Sequence, residues 1–187
     1  MTVYFSEGHH FGHANIIKYA SRPYSSIEEM DAALIANWNS VVSPGDTVYY
    51  LGDFCLGDAN QARKYLHQLN GQIRILDTST HHDKRWIKQI KLFSNGLVTA
   101  QGESLILLPA LSVLKFEKQW FVLCHFPFAS WEGRLHGWIH LHGHCHGRYH
   151  GEGKIMDVGV DANNFYPVSE KRVLEYCADR PVFVSHP

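Results

Sequence analysis

The pattern of apolar positions in the first part of the chain predicts strands and helices in alternation. Three short runs of β-branched and aromatic residues predict strands at Thr2–Phe5, Thr47–Leu51 and Ile73–Leu76. One helix is predicted to open after Ser25 and Ser26, with apolar residues at helical period as far as Trp38. A second helix is predicted over Ala59–Leu69. This β-α-β-α-β order predicts parallel strands joined by helices.

The later part of the chain predicts mostly strands with short connections. The expected strands are Leu97–Ala100, Leu105–Leu108, Val113–Phe116, Trp120–Cys124, Trp138–Leu141 and Met156–Val160. A final helix is expected at Lys171–Cys177. The sequence shows no internal repeat, low-complexity segment or linker, so residues 1–187 are interpreted as one α/β domain.

Composition narrows the class of protein. Apolar residues make up 45% of the chain and charged residues 19%, which is typical of a globular protein. The net charge of −1 offers no basic face for an extended nucleic acid. No apolar run approaches the roughly 20 residues of a membrane span, and the first residues lack a secretory signal pattern. A cytoplasmic protein with reduced cysteines and no membrane partner is expected; its oligomeric state is left open.

The candidate chemistry lies in the histidines. Of the 14 histidines, six fall between positions 136 and 150. Four segments follow predicted strands, where ligand sites of α/β folds form: His9–His13, Leu51–Asp53, Cys124–Pro127 and His142–Gly147. His144 and His146 are two residues apart, so an extended backbone projects both to one side. Asp53 could offer a carboxylate to two cations, as hydrolases with two metal ions require.

These segments, in this order, resemble the calcineurin-like metallophosphoesterases, in particular their small bacterial and phage-type branch. The resemblance runs from Thr2 to about Ser169 and includes the stretches YFSEGHHFGHANII, VSPGDTVYYLGDF, CHFPFASWEG, HLHGHCHG and DVGVDANNFYPVS. It implies a sandwich of two mixed β-sheets flanked by helices, with a dinuclear metal site at one edge. It also implies hydrolysis of a small phosphomonoester or phosphodiester by a metal-activated water. The divalent ions implied are manganese, iron, zinc or nickel.

The resemblance carries over to individual positions. The family's ligands of the first metal correspond to His10 and His146, those of the second metal to His125 and His144, and the bridging aspartate to Asp53. In this branch, His13 and Arg22 lie near the site and are expected to contact the substrate.

The first motif departs from the family pattern. Aligned without gaps, its aspartate falls on Gly8, which has no ligand atom. Glu7 lies one residue earlier, where a strand would point it to the opposite face. A bulge could nevertheless let Glu7 replace the aspartate as a metal ligand. An impaired first site is slightly favoured over this replacement.

The third motif departs further. Where the family has Gly-Asn-His-Asp, the best local match places His81 at the asparagine ligand, His82 at the catalytic histidine and Asp83 at the aspartate. Counting from Gly71 instead moves the motif to Thr78–His81. A third interpretation makes His81 and His82 solvated loop residues.

The sequence is compatible with three functions. The leading one is a working phosphoesterase, in which His82 or His81 protonates the leaving alkoxide. The alternative is a catalytically impaired metal-binding domain of the same fold that acts by binding a ligand or a partner. A histidine-rich metal buffer is disfavoured, because the candidate ligands adjoin apolar strands such as Trp120–Leu123.

Overall fold

The computed structural model describes residues 1–78, 82–93 and 96–183. These ranges contain helices α1 (Ile16–Tyr19), α2 (Ile27–Val41), α3 (Ala59–Leu66), α4 (Lys84–Phe93) and α5 (Glu170–Cys177). They contain strands β1 (Val3–Ser6), β2 (Thr47–Tyr50), β3 (Gln72–Leu76), β4 (Ile106–Leu108), β5 (Leu111–Phe116), β6 (Gln119–Cys124), β7 (Ile139–His142), β8 (Ile155–Asp157) and β9 (Val168–Ser169). No helix in these ranges has both the length and the apolar character needed to span a bilayer.

The first sheet has the strand order β4-β3-β2-β1-β9. Strands β1 to β4 are parallel to their neighbours, as predicted for the first three, and β9 pairs antiparallel with β1. Helix α2 begins as the sequence predicts, because the Ser26 side chain accepts a hydrogen bond from the backbone N–H of Glu29. Met30, Leu34 and Trp38 then bury one face of this helix against the sheet.

The second sheet has the order β5-β6-β7-β8 and is also mixed. Because side chains alternate across a strand, each inner sheet face supplies every second residue to a shared core. That core contains Phe5, Tyr49, Leu51, Leu76, Phe121, Leu123, Ile139 and Leu141. The fold is therefore α/β with two mixed sheets flanked by helices, which confirms the predicted fold class.

Several local predictions differ from the structure. Leu97–Ala100 is not a strand, because the chain turns back after Thr99 and makes only an isolated bridge between Val98 and Ser104. Val160 lies in a short 3-10 helix rather than at the end of β8. Helices α1 and α4 and strand β9 were not predicted from sequence. Strand β9 has only two residues, so its pairing with β1 depends on tertiary contacts rather than on local pattern.

Candidate metal centre

Loops that follow β1, β2, β3, β6 and β7 bring the predicted ligands to one edge of the sandwich. Two groups of side chains there could hold a metal ion, and the ligand atoms within each group lie within 4.8 Å of one another. The first group is His10, Asp53 and His82, and the second group is Asp53, His125 and His144. Asp53 Oδ2 lies 3.4 Å from His10 Nε2 and 3.6 Å from His125 Nε2. The shared carboxylate therefore lies between the two groups.

Backbone strain is concentrated at this edge. His10, Asp53, His144 and His146 have φ angles of 52°, 55°, 64° and 49°. Residues other than glycine rarely adopt this left-handed region, and such strain gathers at functional sites. The backbone N–H of His10 donates to the carbonyl of Asp53 at 2.9 Å, so hydrogen bonding between the two loops helps to hold the strained conformation.

His10 has two properties that would favour metal ligation, a neutral ring and an unused ring nitrogen. Burial lowers the pKa of His10 well below its usual value, and the nearby Arg22 charge lowers the pKa further. The imidazole is therefore neutral, which is the form that binds metals. Its buried Nε2 makes no hydrogen bond to any described residue. A buried polar atom without a partner is rare, and a cation shared with Asp53 would satisfy it.

His9 has a structural role beneath this site. Its backbone N–H donates to the Tyr50 hydroxyl at 3.0 Å, and its Nδ1 lies 2.9 Å from the same oxygen. Burial, followed by the Arg22 charge, lowers the pKa of His9 to about 3, so the ring is neutral. The Tyr50 hydroxyl also lies 3.5 Å from the carbonyl of Asp53. The Tyr50 side chain thus connects the loop after β1 with the loop after β2, a contact that sequence analysis missed.

Arg22 is buried and is held by several groups of the protein. Its Nε and Nη2 donate to the two carboxylate oxygens of Asp161, each at 2.8 Å. Its Nη1 donates to the carbonyl of His9 at 2.8 Å, and its Nη2 donates to that of Gly8 at 2.6 Å. Nη1 also contacts Met30 Sδ at 3.5 Å. Because all five N–H groups of the guanidinium have partners within the protein, Arg22 positions the loop that follows β1, and its predicted contact with the substrate stays a prediction.

His146 lies beside the first group but is not a member of either group within the described residues. Its ring stacks on that of His10 with centroids 5.3 Å apart. Its Nδ1 lies 2.7 Å from Asp161 Oδ2, which fixes the orientation of the ring. The predicted ligation of the first metal by His146 stays a prediction, because the contact with Asp161 uses only one of its two ring nitrogens. Asp161 was missed, although it lies within the family-like stretch DVGVDANN.

Asp83, which the best local match places at the aspartate of the third motif, is buried beside the loop that follows β2. The buried Asp83 carboxylate accepts hydrogen bonds from the backbone N–H groups of Phe54 and Cys55, at 3.0 and 3.2 Å. It also accepts one from Trp86 Nε1 at 2.8 Å. Burial raises the pKa of Asp83 to about 6, although these hydrogen bonds oppose the rise. Asp83 therefore fixes the loop that carries Asp53.

His82, which directly precedes Asp83, enters the site. Its ring centroid lies 5.1 Å from that of His10 and 5.5 Å from that of His13. His82 is not buried, but its ring lies among those of the candidate ligands. His81, the other predicted histidine of this motif, lies outside the described residues.

Glu7 does not join the first group, in contrast to the proposed replacement of the missing aspartate. Its carboxylate is buried, and Oε1 lies 3.4 Å from His125 Nδ1. Burial, with the charges of Asp53 and Asp157, raises the pKa of Glu7 well above its usual value.

Aromatic side chains flank the exposed side of the centre. His13 is partly exposed, and its ring centroid lies 6.3 Å from that of Tyr19, which is 65% exposed. Phe126 is 41% exposed, and its ring packs edge-on against that of His144 with the two centroids 4.7 Å apart. The predicted contact of His13 with a substrate stays a prediction.

Fold and site together define an α/β protein with a histidine-rich candidate metal centre built on one shared aspartate. No family model matches the chain. The chain is 36% identical over 176 residues to the uncharacterized protein MJ1445 of Methanocaldococcus jannaschii, covering 89% of this chain and 86% of that protein. The chain belongs to the same family as this archaeal protein. It also shares its fold with a protein of unknown function, AQ665, from Aquifex aeolicus, with a TM-score of 0.66, 20% identity and coverage of 94% of this chain and 98% of that one.

Proposed function

We propose that this protein is a metal-dependent phosphoesterase that hydrolyses a small phosphomonoester or phosphodiester. The observation that carries the proposal is the single carboxylate of Asp53 shared by two groups of candidate ligands. This arrangement supports two cations held close together, as in hydrolases that clamp both the attacking and the leaving oxygen. The separate resemblance of the sequence to calcineurin-like metallophosphoesterases supports the same reaction.

The residues have distinct roles in this proposal. His10 and Asp53 would hold the first cation, and Asp53, His125 and His144 would hold the second. The bound cations would supply Lewis acidity at the phosphoryl oxygens. We assign protonation of the leaving alkoxide to His82, because its ring lies beside both His10 and the partly exposed His13.

The ligand set bears on the choice of metal. Imidazole nitrogens outnumber carboxylates in both groups, since Asp53 is the one carboxylate in either. Imidazole favours zinc, iron and nickel, whereas magnesium prefers oxygen ligands. We therefore expect activity with a transition metal or zinc, and little with magnesium.

A second candidate function is supported by one observation at Gly8. Because this position has no side chain, the first group lacks a second carboxylate. A domain that holds one cation firmly, and binds a ligand or partner without turnover, is consistent with this loss. The number of tightly bound metals and the turnover of a generic ester separate the two functions.

The test combines metal analysis with turnover of para-nitrophenyl phosphate and bis(para-nitrophenyl) phosphate. The unmodified protein should retain two cations and hydrolyse at least one ester. Asp53→Asn should lose activity by more than the roughly 10- to 100-fold that loss of an outer-shell partner costs. Asp58→Asn is the matched control, because Asp58 caps α3 and asparagine also serves as an N-cap. No turnover of either ester with any metal, in protein that retains metal, would exclude the enzyme and leave the binding domain.

A further inference from the structure

We propose that Glu7 is a positioning residue whose buried carboxylate orients His125 and His144, so that the second group binds its cation more tightly than the first. This inference rests on the metal centre of the proposed function. It deepens that proposal, because it gives the two metal sites unequal affinities and assigns the difference to one residue outside both groups.

His125 supplies the first step of the argument. The two nitrogens of its ring face two different carboxylates: Nε2 lies 3.6 Å from Asp53 Oδ2, and Nδ1 lies 3.4 Å from Glu7 Oε1. A histidine that ligates a metal generally donates its other ring N–H to a carboxylate, a carbonyl or a water, which fixes the tautomer and the ring orientation. Glu7 Oε1 lies on the side of His125 where that carboxylate would stand, at an ion-pair distance of 3.4 Å rather than in a hydrogen bond.

His144 supplies the second step. Its backbone N–H donates a hydrogen bond to the Glu7 carboxylate. The backbone of His144 is in the left-handed region, with φ at 64°, so the bond helps to hold a strained conformation. Glu7 therefore acts on both histidines of the second group, through the side chain of one and the backbone of the other.

Close packing around the carboxylate forms the third step. A Cβ at position 143 would lie 2.1 Å from Glu7 Oε2, and one at position 159 would lie 2.9 Å from it. A Cβ at position 143 would overlap the Glu7 side chain, and one at position 159 would require it to shift. The backbone carbonyl of Glu7 also accepts the N–H of Val160 at 3.0 Å. The Glu7 side chain is therefore closely packed by the loops that contain Gly143 and Gly159.

The asymmetry follows from the neighbouring position. Gly8 gives the first group no carboxylate of its own, whereas the acid one residue earlier supports the second group. The second group is therefore expected to fill first as metal is added, and the first group to fill only at higher metal concentration.

The test is a cobalt(II) titration of the full chain after removal of metal by a chelator, followed by visible absorption and calorimetry. The unmodified protein should bind cobalt in a tight and a weak step. His144→Ala should remove the tight step, and His10→Ala the weak step, which assigns each step to its group. Glu7→Ala should weaken the tight step by about 10- to 100-fold and change its cobalt spectrum. Glu7→Gln keeps an acceptor oxygen for His125 and should recover part of the affinity.

Glu175→Gln is the control, because Glu175 is exposed on α5, and it should leave both steps unchanged. The inference is overturned if Glu7→Ala weakens only the weak step, which would make Glu7 a partner of the first metal, or if neither step changes. If Glu7→Ala does not fold, equal weakening of both steps in Glu7→Gln overturns it as well. Two-step binding without ester turnover contradicts the proposed function alone, whereas no cobalt binding by the unmodified protein contradicts both.

Discussion

The contact between Arg22 and Asp161 offers the sharpest test of how the site is held together. The guanidinium side chain is fully buried, and the carboxylate side chain is 8% exposed. Removing one partner of a buried ion pair costs about 3–5 kcal/mol, because the other charge stays buried without compensation. Arg22→Met also leaves the carbonyls of Gly8 and His9 without this donor, and each buried acceptor left without a donor adds about 1–3 kcal/mol. The total is a large part of the roughly 5–15 kcal/mol that stabilises a typical domain.

The assay is a double-mutant cycle measured by urea unfolding of protein without metal. Arg22→Met and Asp161→Asn are measured singly and together, with Arg22→Lys as the variant that keeps the charge but not the paired donors. Two residues in one network should show a coupling energy of about 0.5–3 kcal/mol. If Arg22→Met does not fold, the cycle is run with Arg22→Lys.

The same variants should also affect the metal centre. Loss of Arg22 frees Asp161 and removes the restraint on His146, whose ring stacks on His10. Metal affinity of the first group should therefore fall together with stability. Additive stability losses, with a coupling energy below about 0.5 kcal/mol, would refute the idea that Arg22 and Asp161 act as one unit.

Three further predictions concern individual residues. Gly8→Asp should raise the metal affinity of the first group, because it adds a carboxylate at a position where a Cβ has no neighbour within 4 Å. The control is Gly8→Asn, which has the same backbone strain at a φ of 72° but no charge. Equal binding of metal by both variants would contradict the expectation. His144→Ala should lose one equivalent of metal by elemental analysis, whereas His146→Ala should lose less, since only His144 belongs to a ligand group; equal losses would contradict this order. Burial lowers the pKa of His140 from 6.5 to about 4, so the unfolded state takes up the proton more readily and stability should fall as the pH decreases from about 6.5 to about 4. The size of this loss is about 3 kcal/mol, and urea unfolding should show a flatter pH dependence in His140→Gln than in the unmodified protein.

Local sequence pattern determined much of the fold. The alternation of apolar residues and the helical period around Met30 and Trp38 predicted β1 to β3 and the helices between them, because these periods are set by backbone geometry. The ends of parallel strands meet at one edge of a sheet, so the sequence also indicated that Asp53, His125 and His144 would gather there. In the structure, the candidate ligand atoms of these three residues lie within 4.8 Å of one another.

Tertiary structure decided what each neighbouring side chain does. The position of Arg22 near the site was expected, but its role depends on Asp161, which is 139 residues later in the chain. A local sequence pattern does not predict a contact between residues so far apart in the chain. The two-residue strand β9 was missed for the same reason, since its partner β1 lies at the other end of the chain.

Glu7 and His146 show most clearly what the sequence leaves undecided about the orientation of side chains at the site. The sequence alone placed Glu7 one residue from the missing aspartate and His146 two residues from His144, which made both candidate ligands. The direction of each side chain was fixed only when the loops packed, with Glu7 against Gly143 and His146 against Asp161. Spacing along the chain indicates which residues reach the edge of the sheet, but contacts between distant loops fix how each side chain is oriented there, because those contacts join residues that share no local pattern.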